Sequence, residues 1–184
     1  MESILVTYQS KTGFTKKYVE WIAESLNCQV TPFNLMDNVD MSQFKIIVYG
    51  AGIYAGRIKG LQDFKRKING MPDKHIIVFA TGGAPFTEQV MASIKTNNFS
   101  SEELNDVSLF YFQSGLNYEK MGLGEKAMLK MYNQMLKMKP NKSVMEYETG
   151  RTITNSYDNC NKERLRPLIN HILEHQSNKI DWKV

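Results

Sequence analysis

Short apolar segments alternate with segments of helical periodicity through the first hundred residues of the chain. The apolar segments, with a fifth that follows them, cover residues 4–8, 30–33, 46–49, 76–79 and 107–112. Strands that are apolar on both faces are typical of a parallel sheet buried between two layers of helices. The alternation therefore predicts an α/β fold with a doubly wound, five-stranded parallel sheet and helices on both faces.

Helices are predicted between these strands by apolar residues that recur three and four positions apart. The spacing predicts helices over residues 16–26 and 61–68, and a closing helix over residues 164–173. Pro167 is expected to shorten the closing helix or to lie in its first turn, because proline cannot donate a hydrogen bond inside a helix.

The size and composition of the chain favour one domain. The chain has 184 residues, of which 42% are hydrophobic and 23% charged, and this is ordinary for a globular protein with one core. We therefore expect a single domain over residues 1–184, with a helical insertion at about 117–140. The sequence begins without a basic stretch and a long apolar segment, so we expect neither a signal peptide nor a membrane span, and we expect a cytoplasmic location.

Metal and nucleic-acid chemistry are not favoured by the sequence. Cys28 and Cys160 lie far apart, which predicts reduced structural thiols. His171 and His175 lie four positions apart on a predicted helix, but the sequence offers no obvious third and fourth ligand, so we do not expect a zinc site.

The net charge of +4 suits acidic proteins, anionic substrates or anionic lipids. The basic residues are not interleaved with aromatic residues as in nucleic-acid-binding segments.

The loop after the first predicted strand has the composition of a phosphate-binding loop. It reads Ser10-Lys11-Thr12-Gly13-Phe14-Thr15 and leads directly into a predicted helix. A glycine among small hydroxyl residues lets the backbone close around an anion at a helix N-terminus, and Ser10, Thr12 and Thr15 would add hydroxyl donors. The spacing matches neither a P-loop nor a dinucleotide-binding fingerprint. The alternative is an ordinary helix capped by Thr12 or Thr15.

Two further loops at predicted strand ends combine glycines with an aromatic residue. The third strand leads into Gly52-Ile53-Tyr54-Ala55-Gly56, and the fourth into Thr81-Gly82-Gly83-Ala84-Pro85-Phe86. Ligands bind at the carboxyl ends of strands in open parallel sheets. Glycines there leave main-chain groups open to a flat polar ring, and Tyr54 and Phe86 would cover its faces by stacking. Each feature alone is more typical of a turn or a core residue, but their joint position after strands one, three and four favours a binding site.

The phosphate loop resembles that of the flavodoxin family, whose pattern is Ser/Thr-x-Thr-Gly-x-Thr. The succession of strands and loops over residues 3–112 is also similar to that family. The resemblance implies a flavodoxin-like sheet with strand order 2-1-3-4-5 and one FMN held without a covalent bond. It further implies that residues 10–15 hold the phosphate, while residues 52–56, residues 81–84 and Phe86 border the ring. A flavoprotein that works in electron transport as an oxidoreductase follows from the resemblance.

Within the flavodoxin family, the chain resembles the menaquinone-dependent protoporphyrinogen dehydrogenases. A Gly-Ala-x-Ile segment follows the third strand in that subfamily, and Gly50-Ala51-Gly52-Ile53 fits it. The subfamily's Ile-Arg-Tyr-Gly is replaced here by Ile53-Tyr54-Ala55-Gly56. The resemblance implies a quinone or a porphyrin-type substrate.

A methionine-rich and lysine-rich segment lies at residues 125–139. Helical spacing places an apolar stripe on one side and lysines off it; the stripe is Met128, Met131, Tyr132, Met135 and Leu136, and the lysines are Lys126, Lys130 and Lys137. The stripe is either a face packed on the sheet or an adaptable apolar surface for a quinone, a porphyrin or a redox partner protein. Its lysine flanks would suit peripheral contact with an anionic membrane.

The resemblance, together with these patterns, implies three possible functions. The first is an FMN-dependent oxidoreductase that oxidises a porphyrinogen or reduces a quinone, in which no catalytic side chain is required because the flavin carries the chemistry. The second is a simple electron carrier for protein partners. The third is a cofactor-free binding or regulatory module of the same fold, against which the intact loop over residues 10–15 argues.

Overall fold

A computed structural model describes residues 3–140 and 155–177 of the chain. The chain divides into two compact units, Met1–Ser114 with Cys160–Val184, and Gly115–Asn159. The single domain over residues 1–184 that the sequence favours stays a prediction, since compactness of each unit does not say whether the two fold together.

The first unit is organised around a parallel sheet. Its strands are β1 (Ile4–Gln9), β2 (Gln29–Pro32), β3 (Ile46–Tyr54), β4 (Arg57–Ile58), β5 (His75–Gly82) and β6 (Val107–Gln113). The order is β2-β1-β3-β5-β6, with the short β4 antiparallel to β3. The five parallel strands thus follow the order 2-1-3-4-5 of their appearance along the chain, which confirms the predicted fold class.

Helices cover both faces of this sheet. The helices of the first unit in the described ranges are α1 (Phe14–Ser25), α2 (Leu61–Ile68), α3 (Glu88–Asn98), α4 (Glu103–Asp106) and α6 (Arg166–Ser177), and α5 (Leu123–Met138) belongs to the second unit. Pro167 lies in the first turn of α6, where its missing N–H group has no helical partner to lose. Short 3-10 turns at residues 33–38, 41–43 and 162–165 connect the longer elements.

Two apolar clusters, one on each face of the sheet, form the core of the first unit. Leu5 and Ile47 belong to the cluster that includes Phe64 of α2, whereas their neighbours Val6 and Val48 belong to the other. Successive strand residues point to opposite faces, so a strand buried on both faces carries apolar residues at consecutive positions. Each fully buried side chain of this kind contributes roughly 1.5–3 kcal/mol to the free energy of folding.

Two strands run further than their apolar segments indicate. β3 continues through its glycines to Tyr54, because Gly52 pairs with β5 and Tyr54 pairs with β4. β5 continues to Gly82, which pairs with β6. Gly50 is required there: a Cβ at this position would lie 2.1 Å from the ring of Phe79. The glycines are thus strand residues that admit close packing rather than the start of a loop.

The second unit contains α5 and a two-stranded antiparallel ribbon. The ribbon pairs β7 (Gly115–Leu116) with β8 (Tyr157–Asp158). The Gly122 N–H group donates to the Glu125 carboxylate at 2.8 Å and so closes the N-terminus of α5. Of the predicted apolar stripe on α5, Leu136 is buried, whereas Met131 and Met135 are 71% and 59% exposed. None of the described helices has the length and apolar composition of a membrane span.

Candidate functional site

The connection from β1 to α1 has the backbone of an anion-binding loop. Gly13 is the N-cap of α1 and has a φ of 100°, a left-handed conformation that glycine adopts without strain. A Cβ added at Gly13 would have no atom of the described residues within 4 Å, apart from those of its two chain neighbours. Gly13 gives α1 no side-chain cap, so the alternative of a helix capped by Thr12 or Thr15 is wrong. Amides at the start of the helix that no side chain caps can therefore bind an external anion.

The charges and hydroxyl groups around this helix N-terminus suit an anion. The Lys16 N–H group donates to Ser10 Oγ at 3.3 Å, so the Ser10 hydroxyl lies over the first turn and keeps its own proton to donate. The first turn of α1 contains no acidic residue, and Lys11 and Lys16 are exposed beside it. A negative ligand is favoured here by the helix dipole and by both lysines.

Thr15 joins the phosphate loop to the end of β5. Its hydroxyl lies 2.9 Å from the Thr81 hydroxyl, and both side chains are buried. Gly52 of β3 lies against the same pair: a Cβ there would be 3.8 Å from Thr81 Oγ1 and 3.9 Å from Thr15 Oγ1. The three predicted segments thus meet at the carboxyl ends of three neighbouring strands. Since one hydrogen bond uses one of the two hydroxyl protons, Thr15 and Thr81 together offer one further proton at most.

A tight hairpin presents Tyr54 at this edge. Tyr54 of β3 pairs with Arg57 of β4, and the two residues between them, Ala55 and Gly56, have φ values of 48° and 77°. Positive φ at both positions is the hairpin turn whose twist matches the strands. Tyr54 is 49% exposed. The Arg57 guanidinium donates to the Asn97 carbonyl at 3.1 Å, which ties the turn to α3.

Asn98 fixes this hairpin from the end of α3. Its amide nitrogen donates to the Gly56 carbonyl at 3.0 Å and to the Ile94 carbonyl at 2.9 Å, and its amide oxygen accepts from the Ile58 N–H group at 2.8 Å. The side chain is buried. The bonds to residues 56 and 58 cross about forty positions of sequence, so no local pattern could have identified Asn98.

The segment after β5 is held by side chains and backbone at the end of β6. The Tyr111 hydroxyl donates to the Ala84 carbonyl at 2.6 Å, and the Ser114 N–H group donates to the Gly82 carbonyl at 2.7 Å. The carbonyl groups of the segment thus accept hydrogen bonds from residues at the end of β6. Its N–H groups are then the main hydrogen-bonding groups that it can offer to a ligand. Phe86, before α3, is 59% exposed.

Two buried tyrosines donate hydrogen bonds to backbone carbonyls at or just after the ends of strands. The Tyr18 hydroxyl donates to the Gln113 carbonyl at 2.5 Å, and the Tyr49 hydroxyl donates to the Lys59 carbonyl at 2.6 Å. Burial raises the pKa of Tyr18 above its usual value, and burial with the nearby Asp63 carboxylate raises the pKa of Tyr49. Both therefore stay protonated donors. Their aromatic character predicts core residues, and the sequence carries no signal for these polar roles.

The predicted site residues are thus distributed over three segments at one edge of the sheet. Ser10, Lys11, Thr12 and Gly13 form the first connection and Phe14 and Thr15 begin α1. Gly52, Ile53 and Tyr54 end β3, with Ala55 and Gly56 in the turn. Thr81 and Gly82 end β5, with Gly83, Ala84 and Phe86 beyond it. A hydrogen bond joins Thr15 to Thr81, and Gly52 pairs with Thr81 across β3 and β5.

The comparison with protein families gives one match. Residues 5–143 match the family described as Flavodoxin domain, which is well over half of the chain. The chain belongs to the flavodoxin domain family. Membership confirms the predicted cofactor, FMN, and the prediction of a flavodoxin-like redox protein. The protoporphyrinogen dehydrogenase subfamily stays a prediction. Among curated proteins, none matches this flavodoxin.

Solved structures with distant similarity include three bacterial proteins. A flavoprotein from Lactobacillus acidophilus, solved in complex with FMN, is 14% identical over 61% of this chain and 93% of that chain, with a TM-score of 0.42. A WrbA-like flavodoxin from Agrobacterium tumefaciens is 15% identical over 68% and 88%, with a TM-score of 0.42. The Trp repressor binding protein from Bacillus subtilis is 16% identical over 62% and 85%, with a TM-score of 0.45. Such low similarity says nothing of activity, and the family assignment rests on the domain match.

The residues present fit FMN. The glycine-capped helix and the hydroxyl groups of Ser10 and Thr12 suit a phosphate, since backbone N–H groups and hydroxyls are its usual neutral donors. The glycine-containing segments at the ends of β3 and β5 leave main-chain groups for the polar edge of a ring. Tyr54 and Phe86 provide exposed aromatic faces beside them.

Proposed function

We propose that this flavodoxin transfers electrons through FMN, held at the carboxyl ends of β1, β3 and β5, to a hydrophobic acceptor such as a quinone. The hydrogen bond between Thr15 and Thr81, together with the pairing of Thr81 with Gly52, is the observation that supports the flavin site, because it brings together all three segments that the sequence singles out. The exposed methionines of α5 support the choice of acceptor.

The phosphate end of the site would be formed by the first loop. Ser10 and Thr12 would donate hydroxyl protons, and the amides at the start of α1 would donate along the helix dipole. Gly13 allows the chain to turn away from the phosphate with its left-handed backbone. Thr15 would contribute indirectly, because the hydrogen bond of its hydroxyl with Thr81 fixes the position of the loop.

The ring end would be formed by the other two segments. FMN, when bound, supplies the oxidation and reduction chemistry through its isoalloxazine ring. The N–H groups near Gly83 and Ala84 would orient the polar edge, because their carbonyls are engaged by β6. Tyr54 and Phe86 would cover the ring faces and limit its access to water.

The partner surface is assigned to α5. Met131, Met135 and Met138 are 71%, 59% and 79% exposed, although a methionine usually avoids water. A flexible thioether surface adapts to a quinone or a porphyrin better than a rigid one. The exposed Lys130 and Lys137 would suit anionic lipid headgroups, and so a peripheral position at a membrane.

Oxidation of a protoporphyrinogen with a menaquinone acceptor is the narrower form of this proposal, and the segment from Gly50 to Ile53 supports it. A simple carrier for a protein partner is the rival. Such a carrier needs an exposed ring edge but no methionine stripe. The stripe on α5 therefore favours the quinone-linked function over the simple carrier.

The test is to replace Met131 and Met135 together by glutamine in the FMN-loaded protein. Reoxidation of the reduced protein by a menaquinone analogue should slow by about tenfold, because two exposed methionines that the quinone covers on binding would contribute at least about 1.5 kcal/mol to the contact. Reoxidation by ferricyanide, a small soluble acceptor, should not change. The matched control is Leu35→Gln, an apolar residue of the first unit that is 47% exposed.

Two results would contradict the assignment of α5. Equal slowing with both acceptors would mean that the variant perturbs the flavin site. Equal slowing in Leu35→Gln would mean that exposed apolar residues act without regard to position. In either case the quinone-linked function would be rejected, while FMN binding would stand.

A further inference from the structure

All three histidines of the chain lie together in the first unit. The sequence contains three histidines, His75, His171 and His175. One ring nitrogen from each lies within 4.8 Å of the other two. His75 is the first residue of β5, whereas the other two lie four positions apart on one face of α6. The sequence showed a pair without a third ligand, and the fold supplies that ligand from about a hundred residues away.

The nitrogens are near the spacing that a tetrahedral metal ion requires. His75 Nε2 lies 3.0 Å from His171 Nε2. Two nitrogens bound to Zn²⁺ at about 2.0–2.1 Å lie about 3.3 Å apart in tetrahedral geometry. The rings of His75 and His175 are stacked, with their centroids 3.6 Å apart. Because the lone pair of an imidazole nitrogen lies in the plane of its ring, the lone pairs of stacked rings lie in separate planes. Binding therefore requires His175 to rotate until its lone pair converges with the other two.

The surrounding residues partly shield the three histidines from solvent. All three histidines are half-buried. The Phe110 ring centroid lies 5.6 Å from that of His171 and covers it on one side.

We propose that His75, His171 and His175 form a binding site for one divalent transition-metal ion, with Zn²⁺ as the best fit. Imidazole nitrogen suits Zn²⁺ and its first-row neighbours, whereas Mg²⁺ and Ca²⁺ prefer oxygen ligands. Three protein ligands leave a fourth position for water. The ion joins the beginning of β5 to α6 and so fixes the closing helix to the sheet.

The metal site is separate from the flavin loops. β5 begins at His75 and ends at Gly82, and seven steps of about 3.3 Å place its two ends about 23 Å apart. The ion therefore acts on stability and not on the flavin. A ligand that binds only the folded protein raises its thermal midpoint as the ligand concentration rises.

The experiment is calorimetric titration of Zn²⁺ into the metal-stripped, FMN-loaded protein, followed by thermal unfolding. Zn²⁺ should saturate at one ion per chain and raise the thermal midpoint, and Mg²⁺ should do neither. Loss of an outer-shell partner costs metal sites about 10–100-fold in affinity, so loss of a ligand in His75→Ala or His171→Ala should cost at least about tenfold. Asn170→Ala, at an exposed position on α6, is the matched control and should bind as the unaltered protein does.

The outcome is read within each variant, as the difference between its midpoints with and without Zn²⁺, so that a variant of lower stability still reports on binding. His75→Gln serves if His75→Ala does not fold. The proposal is overturned if the unaltered protein binds no Zn²⁺, or if the His75 variant binds it as tightly, since the ion would then need only the helix pair. A change in the flavin absorption spectrum on Zn²⁺ binding would overturn the separation of the two sites.

Discussion

Thr15 and Thr81 share a buried hydrogen bond whose loss should have a measurable cost. Thr81→Val keeps the shape of the side chain but leaves the Thr15 hydroxyl without this partner. An unsatisfied buried hydroxyl costs about 1–3 kcal/mol, so the free energy of unfolding should fall by that amount. Urea denaturation of the two proteins measures it.

The matched control is Thr7→Val in β1. Thr7 is fully buried too, but its hydroxyl has no partner in the part of the chain that the structure describes. Valine removes an unsatisfied polar group there, so stability should stay the same or rise. Equal losses in both variants would show that the effect comes from the change to valine and not from the bond between Thr15 and Thr81.

At the scale of residues, the sequence predicts local chemistry and misses long-range partners. Gly13 and the hydroxyl residues around it are identified from six consecutive positions, because the backbone turn and the helix start are local. The inward direction of Thr15 is not, since its partner lies 66 positions away. Asn98 and His75 are missed for the same reason.

The hairpin of β3 and β4 depends on Asn98 at the end of α3. Asn98→Ala removes three hydrogen bonds and leaves the Ile58 N–H group without its acceptor. At about 1 kcal/mol for each bond, the free energy of unfolding should fall by about 2–4 kcal/mol. FMN affinity should fall as well, because Tyr54 lies on the loosened hairpin. Denaturant unfolding and flavin titration measure the two effects.

Asn97→Ala is the adjacent control. The Asn97 side chain is exposed and donates to Ser93 within the same helix, while its bond to Arg57 comes from the backbone carbonyl. Its replacement should change stability by no more than about 0.5 kcal/mol. If Asn98→Ala behaved like this control, the hairpin would be held by strand pairing alone.

Elements with a strong apolar pattern are predicted well, and elements held by tertiary contacts are not. Residues 61–68 are a helix as expected, and each of the five parallel strands lies where an apolar segment predicts one. The extension of β3 to Tyr54 is missed because glycines weaken the strand pattern, although β5 maintains the pairing as far as Gly52 and β4 pairs with the last two residues. α3 has a weak pattern, as Ile94 is its only buried apolar residue, and its position follows from the sheet it covers.

For the whole molecule, the alternation of strands and helices is sufficient to predict the sheet, and it indicates the edge at which we propose that a ligand binds. That edge follows from topology, since parallel strands end on the same side. The histidine cluster at the other end of β5 does not follow, because β5 and α6 are distant in sequence. The division into two units also depends on contacts that no local pattern records.

Gly13 in the phosphate loop has a matched control elsewhere in the chain, Gly70. Gly13 and Gly70 both have positive φ, 100° and 83°, and open space around an added Cβ. Alanine at either position should cost about 1–2 kcal/mol of stability through the backbone. Gly13→Ala alone should also weaken FMN, as Gly70 lies beyond the end of α2 and outside the three flavin segments.

The central claim is that residues 10–15 hold the phosphate of FMN, and titration of the flavin-free protein with FMN and with riboflavin tests it most directly. The two ligands share the ring and differ in the phosphate. Two or more hydrogen bonds to a charged group should make FMN bind about a hundredfold more tightly, or better. Equal affinity for FMN and riboflavin would contradict the assignment of this loop.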